Sequence, residues 1–312
     1  MWDSEASAGT IRRMGVLPDD DEARRYVLGP GSVSWRIAGD ARLLLSAGAA
    51  LVLQVAHPTV GAGVHEHSDF ERDPWGRLLR TLDFMNLLVF GGPEAAIATG
   101  RGTRAIHRQI KGVLPDGRPY HSLEPEAYAW VHATLAETIV SSYVRFVGPL
   151  ASRDVEAFWQ EWRGLGRLLG VRKRDLPATW ADFGPYVDRM ARERLEDNET
   201  VRGVLRTLRR PTAPPLPLLG DRTWGLLRIP AARAMGLGTV GLLPEAVRAR
   251  LGLHWTAAQE RELALLGRAS RLVTPLAPRP VRQMGPTYLR LRGDALPVAP
   301  ELPRRQRPAV AA

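Results

Sequence analysis

Histidine is the residue type that first suggests chemistry in this chain. Imidazole titrates near neutral pH and is a common ligand of metal ions and of haem iron. Six of the seven histidines lie between positions 54 and 134, so we expect a reactive site in this segment. They are His57, His65, His67, His107, His121 and His132.

The spacing around His107 predicts that its side chain points inward. Ala96, Gly100, Thr103, His107 and Ile110 share one face of a helix, and basic residues occupy the opposite face. The small residues in the preceding turns predict space over the imidazole for a flat ligand such as a porphyrin. A core histidine hydrogen-bonded to a backbone carbonyl is the alternative.

Arg77 and Thr81 lie four residues apart, on one face of the preceding predicted helix, and Phe84 and Leu88 continue that face. A cation and a hydroxyl beside an apolar stripe suggest a buried polar patch that needs an anionic partner, such as a carboxylate or a haem propionate. An arginine that extends from the edge of the stripe into solvent is the alternative.

The other histidines allow two interpretations each. His132 aligns with Tyr128 on an inward helical face, either near a cofactor or as a hydrogen-bonded core residue. His65 and His67 form a His-x-His pair in a stretch, 61–73, that we expect to be a polar loop. With His132 they could hold a metal ion for hydrolysis, although paired ligands at helical spacing are missing. The alternative is that His65 and His67 cap backbone groups of the loop.

Composition excludes several classes of protein. The absence of cysteine excludes disulfides, iron–sulfur clusters and thiolate-ligated haem. A net charge of +10 would normally suggest a nucleic-acid partner. All but two of the 43 basic residues are arginines spread along the whole chain, which is typical of biased coding, and we expect no nucleic-acid partner.

The hydrophobic pattern predicts an all-α protein with one large helical domain, because no convincing run of alternating β-branched residues is present. A polar N-terminal arm (1–30) precedes the domain (31–295), which contains a proline-rich linker (211–217), and a disordered tail (296–312) follows. The expected helices are Ser34–Ala56, Pro74–Phe90, 91–112, Pro125–Val147, two or three within 152–209 and short ones within 218–292.

The chain shows no membrane span or export signal in its sequence. Its longest apolar run, 43–56, is shorter than the roughly 20 residues that cross a bilayer. The N-terminal residues lack the basic and apolar regions of a signal peptide. We therefore expect a cytoplasmic protein, and peripheral contact with an anionic membrane stays open.

Six short motifs occur together in the histidine-rich segment. They are Gln54–Val64, His67-Ser68, Asp73-Pro74, Arg77–Thr81, Ile106-His107 and Trp130–His132. In combination they resemble the catalytic domain that rubber oxygenases (latex clearing proteins) share with the MpaB-type oxygenases. The resemblance covers about residues 33–290.

This resemblance implies a haem b protein with a globin-like helical core and additional peripheral helices, which cleaves an alkene bond of an isoprenoid with dioxygen. His107 matches the proximal iron ligand of the family, and Arg77 and Thr81 match its Arg-x-x-x-Thr pair beside the haem. His132, in the last of the motifs, is a further candidate for cofactor binding.

The chain departs from the family's pattern at its acid and base residues. Arg80 stands where we expect a lysine, and a guanidinium cannot exchange a proton near neutral pH. Glu66 is the nearest candidate for the acid/base carboxylate, so Arg80 and Glu66 are the catalytic candidates. Because rubber is too large to enter a cell, we expect a hydrophobic, isoprenoid-like small molecule as the substrate.

The sequence therefore favours a haem b-dependent oxygenase. A non-catalytic helical protein that binds a lipid-like ligand or a membrane surface is the alternative, motivated by the missing proton-transfer residue and the arginine-rich exterior. A metal hydrolase that uses His65, His67 and His132 is a third hypothesis.

Overall fold

The computed structural model describes residues 15–215 and 220–296. This part of the chain contains 15 α-helices and one two-stranded sheet, which confirms the all-α prediction. Buried apolar side chains from Ala23 to Leu263 form one core cluster. The globin-like arrangement and the domain limits stay predictions, and most of the expected tail, as well as the end of the linker, lies outside the described residues.

The N-terminal half carries six helices and the hairpin. They are α1 (Asp20–Arg24), α2 (Val33–Ala38), a 3₁₀ segment (Ala41–Ser46), α3 (Ala47–Val55), α4 (Pro58–His67), α5 (Pro74–Phe90), α6 (Gly92–His107), β1 (Lys111–Val113) and β2 (Pro119–His121).

The C-terminal half is entirely helical in the described residues. Its helices are α7 (Pro125–Phe146), α8 (Ser152–Leu169), α9 (Phe183–Glu193), α10 (Glu199–Arg209), α11 (Asp221–Gly241), α12 (Glu245–Arg250), α13 (Ala257–Val273), α14 (Arg279–Arg282) and α15 (Met284–Arg292), with short 3₁₀ turns at Lys173–Asp175, Thr274–Leu276 and Gly293–Ala295.

Helix α7 forms the centre of the fold, because α3, α8 and α13 all pack against it. The fully buried Trp130 on α7 donates a hydrogen bond from its indole N–H to the Leu53 carbonyl at 2.8 Å. This bond satisfies a buried donor and fixes α3 on α7. The bond therefore holds the first half of α7 in a fixed position against α3.

The prediction of one continuous helix over Ser34–Ala56 was wrong. It is interrupted around Gly39, where the Asp40 carboxylate accepts a hydrogen bond from the Arg42 amide at 3.0 Å and starts the 3₁₀ segment. A side-chain acceptor of this kind competes with the helical hydrogen-bond pattern. Three shorter elements replace the one helix.

The expected loop 61–73 is largely helix α4, so His65 and His67 lie on a helix. Pro58 follows His57 and opens α4 as a first-turn proline. The glycines there serve close packing: a Cβ at Gly61 would lie 2.6 Å from the Val55 carbonyl oxygen. The loop prediction rested on the polar residues of 61–73, and it was wrong over 61–67, where those residues form α4.

Helix α6 ends at His107, five residues before the expected end at Gly112. Gly112 instead pairs with Tyr120 in the hairpin. The two strands are joined by a tight turn, in which Gly117 has φ +86° and its amide donates to the Leu114 carbonyl at 2.9 Å. The hairpin thus follows His107 directly and packs against α4.

Side-chain caps fix the start of two helices. Asp19 caps helix α1 by accepting from the Glu22 amide at 2.8 Å. Thr256 caps helix α13 and forms a capping box with Gln259. Helix α11, at 21 residues, is longer than expected.

Helix α15 is tied to α5 by a buried carboxylate. Tyr288 donates from its hydroxyl to Asp83 Oδ1 at 2.6 Å, and Arg292 donates to both carboxylate oxygens at 2.9 and 2.7 Å. The Asp83 side chain is only 4% exposed, so its charge depends on these partners. The bonds fix the half of α5 that follows Arg77 and Thr81.

Within the described helices, none is long and apolar enough by itself to cross a membrane. The stretch Ala41–Val55 and the adjoining Pro58–His67 reach the required length and composition only as a pair, bent by 109°.

Candidate active site

His107 lies in the last turn of α6 with one ring nitrogen fixed. Its Nδ1 is 2.7 Å from the Thr103 carbonyl oxygen. Because a carbonyl can only accept, Nδ1 carries the proton and donates it to Thr103. This leaves a lone pair on Nε2, which is the arrangement that metal-ligating histidines use when a backbone carbonyl orients them.

The surroundings keep the His107 imidazole neutral. Burial lowers the pKa of His107 below its ordinary value, the bond to Thr103 opposes this, and the charges of Arg77 and His121 lower it further. A metal ion or haem iron binds the neutral form. His107 is therefore ready to act as a ligand without first losing a proton.

Two hydroxyls close to His107 have no hydrogen-bond partner among the described residues. The Tyr128 ring packs edge-on against the imidazole, with 5.5 Å between ring centroids. Burial raises the pKa of Tyr128, and its buried hydroxyl, like that of Thr103, is unsatisfied. Unsatisfied buried polar atoms are rare, so these two favour a bound group at this position.

Arg77 is a partly exposed residue whose guanidinium is desolvated by its surroundings and forms no ion pair among the described residues. It donates to the Thr81 hydroxyl, which in turn donates to the Arg77 carbonyl at 3.0 Å. Across residues 15–215 and 220–296, no carboxylate forms an ion pair with it. Burial lowers the pKa of Arg77, the Arg80 charge adds to this, and Asp69 opposes it. An anionic group would stabilise this guanidinium.

The first half of α5 borders open space. All nine residues from Pro74 to Leu82 are partly exposed, and none is buried or fully exposed. A helix packed on a protein surface alternates between buried and exposed positions, and this alternation is absent from the first half of α5. The half of α5 that carries Arg77 and Thr81 is thus partly open to solvent along its whole length.

The prediction that small residues leave space over the imidazole was wrong. A Cβ at Gly100 would lie 2.2 Å from the Leu168 carbonyl oxygen, because α6 packs closely on α8 there. Ala96 is fully buried in the same contact region. The small side chains therefore serve the packing of α6 on α8.

The catalytic candidates Arg80 and Glu66 lie at the edge of this region. Arg80 pairs with Asp69 at 2.5 Å and lies 3.6 Å from Asp73. The Glu66 side chain is 35% exposed and approaches His67 Nε2 at 3.9 Å. In the described part of the chain, Glu66 makes no hydrogen bond or ion pair with Arg77 or His107. The catalytic roles of Arg80 and Glu66 stay predictions.

His132 is not brought together with His107. Its Nε2–H donates to the Trp162 carbonyl at 2.8 Å, and the Trp162 indole N–H donates back to the His132 carbonyl at 3.1 Å. The two rings stack at 5.5 Å. Burial lowers the pKa of His132 to about 4. These contacts are those of the alternative interpretation, a satisfied core histidine, and a cofactor role for His132 stays a prediction.

The metal-hydrolase hypothesis has no site in residues 15–215 and 220–296, which contain no group of three histidine or carboxylate side chains able to hold a metal ion. His65 is exposed, and His67 lies beside Glu66 alone. His132 faces α8 instead. The three residues are thus not assembled.

Comparison with known proteins places the chain in a family. The family described as "ER-bound oxygenase mpaB/B'/Rubber oxygenase, catalytic domain" matches residues 35–272. The chain belongs to this family. The match confirms the resemblance seen in the motifs, and it supports an enzyme of the oxygenase class.

Two mycobacterial proteins are similar over most of their length. Mb2261 of Mycobacterium bovis and Rv2237 of Mycobacterium tuberculosis, both described as uncharacterized, are each 28% identical over 240 residues. The similarity covers 75% of this chain and 90% of each relative. No solved structure matches the chain.

Sequence reasoning missed Tyr128 and Asp69 as members of the site. Tyr128 reaches His107 only because α7 crosses the end of α6, and no local motif indicates this contact. The bond from His107 to Thr103 was open to prediction, since the two are four residues apart on one helix.

Proposed function

We propose that this protein is a haem b-dependent oxygenase that acts on a hydrophobic, isoprenoid-like small molecule with dioxygen. The observation that carries the proposal is the state of His107, whose Nδ1 proton is donated to Thr103 and whose Nε2 lone pair is left for iron. Membership of an oxygenase family supports the reaction class.

The residues around His107 fit a haem. Arg77 forms no ion pair with a carboxylate among the described residues, and a haem propionate would supply that partner. Thr81 holds its side chain in place. The unsatisfied hydroxyls of Tyr128 and Thr103 offer further polar contacts to a bound group, and the first half of α5 is partly open to solvent.

The reaction that we propose is cleavage of one carbon–carbon double bond by one dioxygen molecule. Both oxygen atoms enter the products as two carbonyl groups, so the step needs no external reductant. Haem b, when bound, would supply the redox chemistry. The chain supplies the His107 ligand, the Arg77 cation and, as the proposed proton-exchanging group, Glu66.

Arg80 has a different proposed role from the lysine expected at its position. A guanidinium keeps its proton near neutral pH, and Arg80 is paired with Asp69. We therefore assign it an electrostatic role beside Arg77. Glu66, with a 35% exposed side chain, can exchange protons with solvent.

The test is dioxygen uptake by the haem-loaded protein. Squalene, an acyclic isoprenoid, should cause uptake with formation of carbonyl products, whereas squalane, which has the same carbon skeleton without double bonds, should cause none. Equal uptake with both compounds, or none with squalene and a panel of shorter prenyl alcohols, would contradict the proposed reaction.

Peripheral membrane contact is a second candidate function, and the first half of α11 favours it. Leu226 is 81% and Ile229 73% exposed, and the exposed Arg222 and Arg228 lie on the same helical segment. Apolar side chains beside arginines suit an anionic lipid surface. Co-sedimentation with vesicles containing phosphatidylserine should fall with added salt and in Leu226→Ser, and equal binding to neutral vesicles would contradict this candidate.

A further inference from the structure

A separate cavity of about 720 Å³ lies on the other side of α7 from His107. Glu137, which lines it, follows Tyr128 by nine residues, or about two and a half helical turns, and therefore points to the opposite face of α7. Helices α9 and α13 and the end of α11 form the remaining walls. The cavity has the size of a small-molecule site.

The cavity walls are mainly apolar. The side chains that form them include Val140, Val144, Phe183, Val187 and Leu242. Gly184, at the start of α9, leaves part of the wall open, since an added Cβ would meet no atom within 4 Å. The cavity can therefore accept an apolar body.

Glu137 is the unusual group in this wall. Its partly buried side chain makes no hydrogen bond or ion pair with any residue in 15–215 or 220–296. Burial raises the pKa of its carboxyl to about 7, and no charged neighbour contributes. A desolvated carboxyl without a partner is costly, and it is best satisfied in its protonated form by a ligand oxygen.

The other charged groups that line the cavity argue against a charged ligand. Arg145 is paired with Glu260 at 2.8 Å, while Arg268, Arg271 and Asp188 line the cavity and form no carboxylate–arginine pair among the described residues. The excess of arginines disfavours an entering cation. An entering anion would face the Asp188 carboxylate and, at a pH where Glu137 has lost its proton, a second carboxylate. An uncharged ligand avoids both penalties.

We propose that this cavity binds an uncharged apolar molecule, through one carbonyl or hydroxyl oxygen that accepts a hydrogen bond from protonated Glu137. The site is independent of His107, so it can exist whether or not the protein binds haem. It assigns to α7 a second ligand-binding face, distinct from the one that holds Tyr128.

The probe for the test is prodan, an uncharged fluorescent naphthalene with one carbonyl group. Fluorescence titration of the full chain should show binding about 30-fold weaker at about pH 8.5 than at about pH 6, because only the protonated fraction is competent to bind. Glu137→Gln, which always offers a donor, should bind equally at both pH values. Glu193→Gln, an exposed carboxylate on α9, should retain the pH dependence.

Two further variants locate the probe. Gly184→Trp fills the cavity from a position with open space and should abolish binding, with its circular dichroism unchanged. His107→Ala should bind as the natural protein does. Binding that survives Gly184→Trp, that does not depend on pH, or that is tighter for naphthylmethylamine than for prodan at about pH 8.5 would overturn the proposal.

Discussion

Replacing Arg77 with methionine should stabilise the haem-free protein and weaken haem binding at the same time. Arg77 is partly exposed, yet desolvation of its guanidinium lowers its pKa, and its side chain bonds to the Thr81 hydroxyl. Among the described residues no carboxylate forms an ion pair with it, and Asp69 compensates its charge only from a distance. Methionine keeps the length of the side chain and removes that charge.

The two effects have opposite signs and comparable sizes. A buried polar group without a full set of partners costs about 1–3 kcal/mol, so Arg77→Met should raise the free energy of unfolding of the haem-free protein by about that amount. The lost charge-assisted bond to a propionate is worth about 1.5–3 kcal/mol. This corresponds to haem binding that is roughly 10- to 100-fold weaker.

Urea unfolding of the haem-free protein and titration with haem measure the two effects separately. Arg72→Met is the matched control, because Arg72 is exposed in the loop before α5; it should change neither quantity. If Arg77→Met instead destabilised the haem-free protein and left haem affinity unchanged, Arg77 would be a structural residue. Unchanged haem occupancy with lost turnover per haem would assign it to the chemical step.

Three further predictions concern packing and protonation. Gly100→Ala should destabilise the protein by about 1–3 kcal/mol in urea unfolding, since its Cβ would lie 2.2 Å from the Leu168 carbonyl oxygen. Burial lowers the pKa of His132 from 6.5 to about 4. The neutral imidazole therefore favours the folded state by about 3 kcal/mol above pH 6.5, and this stabilisation is lost as the pH falls towards 4. His132→Gln should flatten this dependence of the free energy of unfolding on pH. Tyr288→Phe removes one hydrogen bond to the buried Asp83 and should cost about 1–3 kcal/mol.

The two packing predictions have control variants within the chain, and the protonation prediction has a clear contradicting result. Gly225→Ala, in an open part of α11, should stabilise the protein by up to about 1 kcal/mol, and equal effects at Gly225 and Gly100 would refute the packing argument. A pH profile unchanged by His132→Gln would refute the protonation argument. Tyr143→Phe, at a partly buried tyrosine of α7 that is outside the hydrogen bonds of Asp83 with Tyr288 and Arg292, should leave stability nearly unchanged.

Helix content could be predicted from the sequence, whereas the positions of breaks could not. Periodicity located α5 and α7 to within a residue or two. Periodicity predicted one continuous helix where the structure has α2 and α3. The hydrogen bond by which the Asp40 side chain interrupts the helix leaves no trace in the spacing of apolar residues. The polar residues of 61–73 suggested a loop, whereas the residues up to His67 form a helix in which Gly61 allows close contact with α3.

The site was predictable where its contacts are local. His107 and Thr103, like Arg77 and Thr81, are four residues apart on one helix. The contact of Tyr128 with His107 depends on how α7 crosses α6, and helical spacing alone cannot supply that crossing. Hydrophobic spacing also gave no indication that α7 has a cavity on its other face.

The visible spectrum of haem-loaded protein tests the central claim most directly. The natural chain should bind one haem with a Soret band, His107→Gly should lose that band, and added imidazole should restore it by occupying the vacated position. His254→Gly, at an exposed histidine, should retain the spectrum. A natural protein that takes up no haem, or a His107→Gly spectrum identical to the natural one, would contradict the assignment of His107 as the iron ligand.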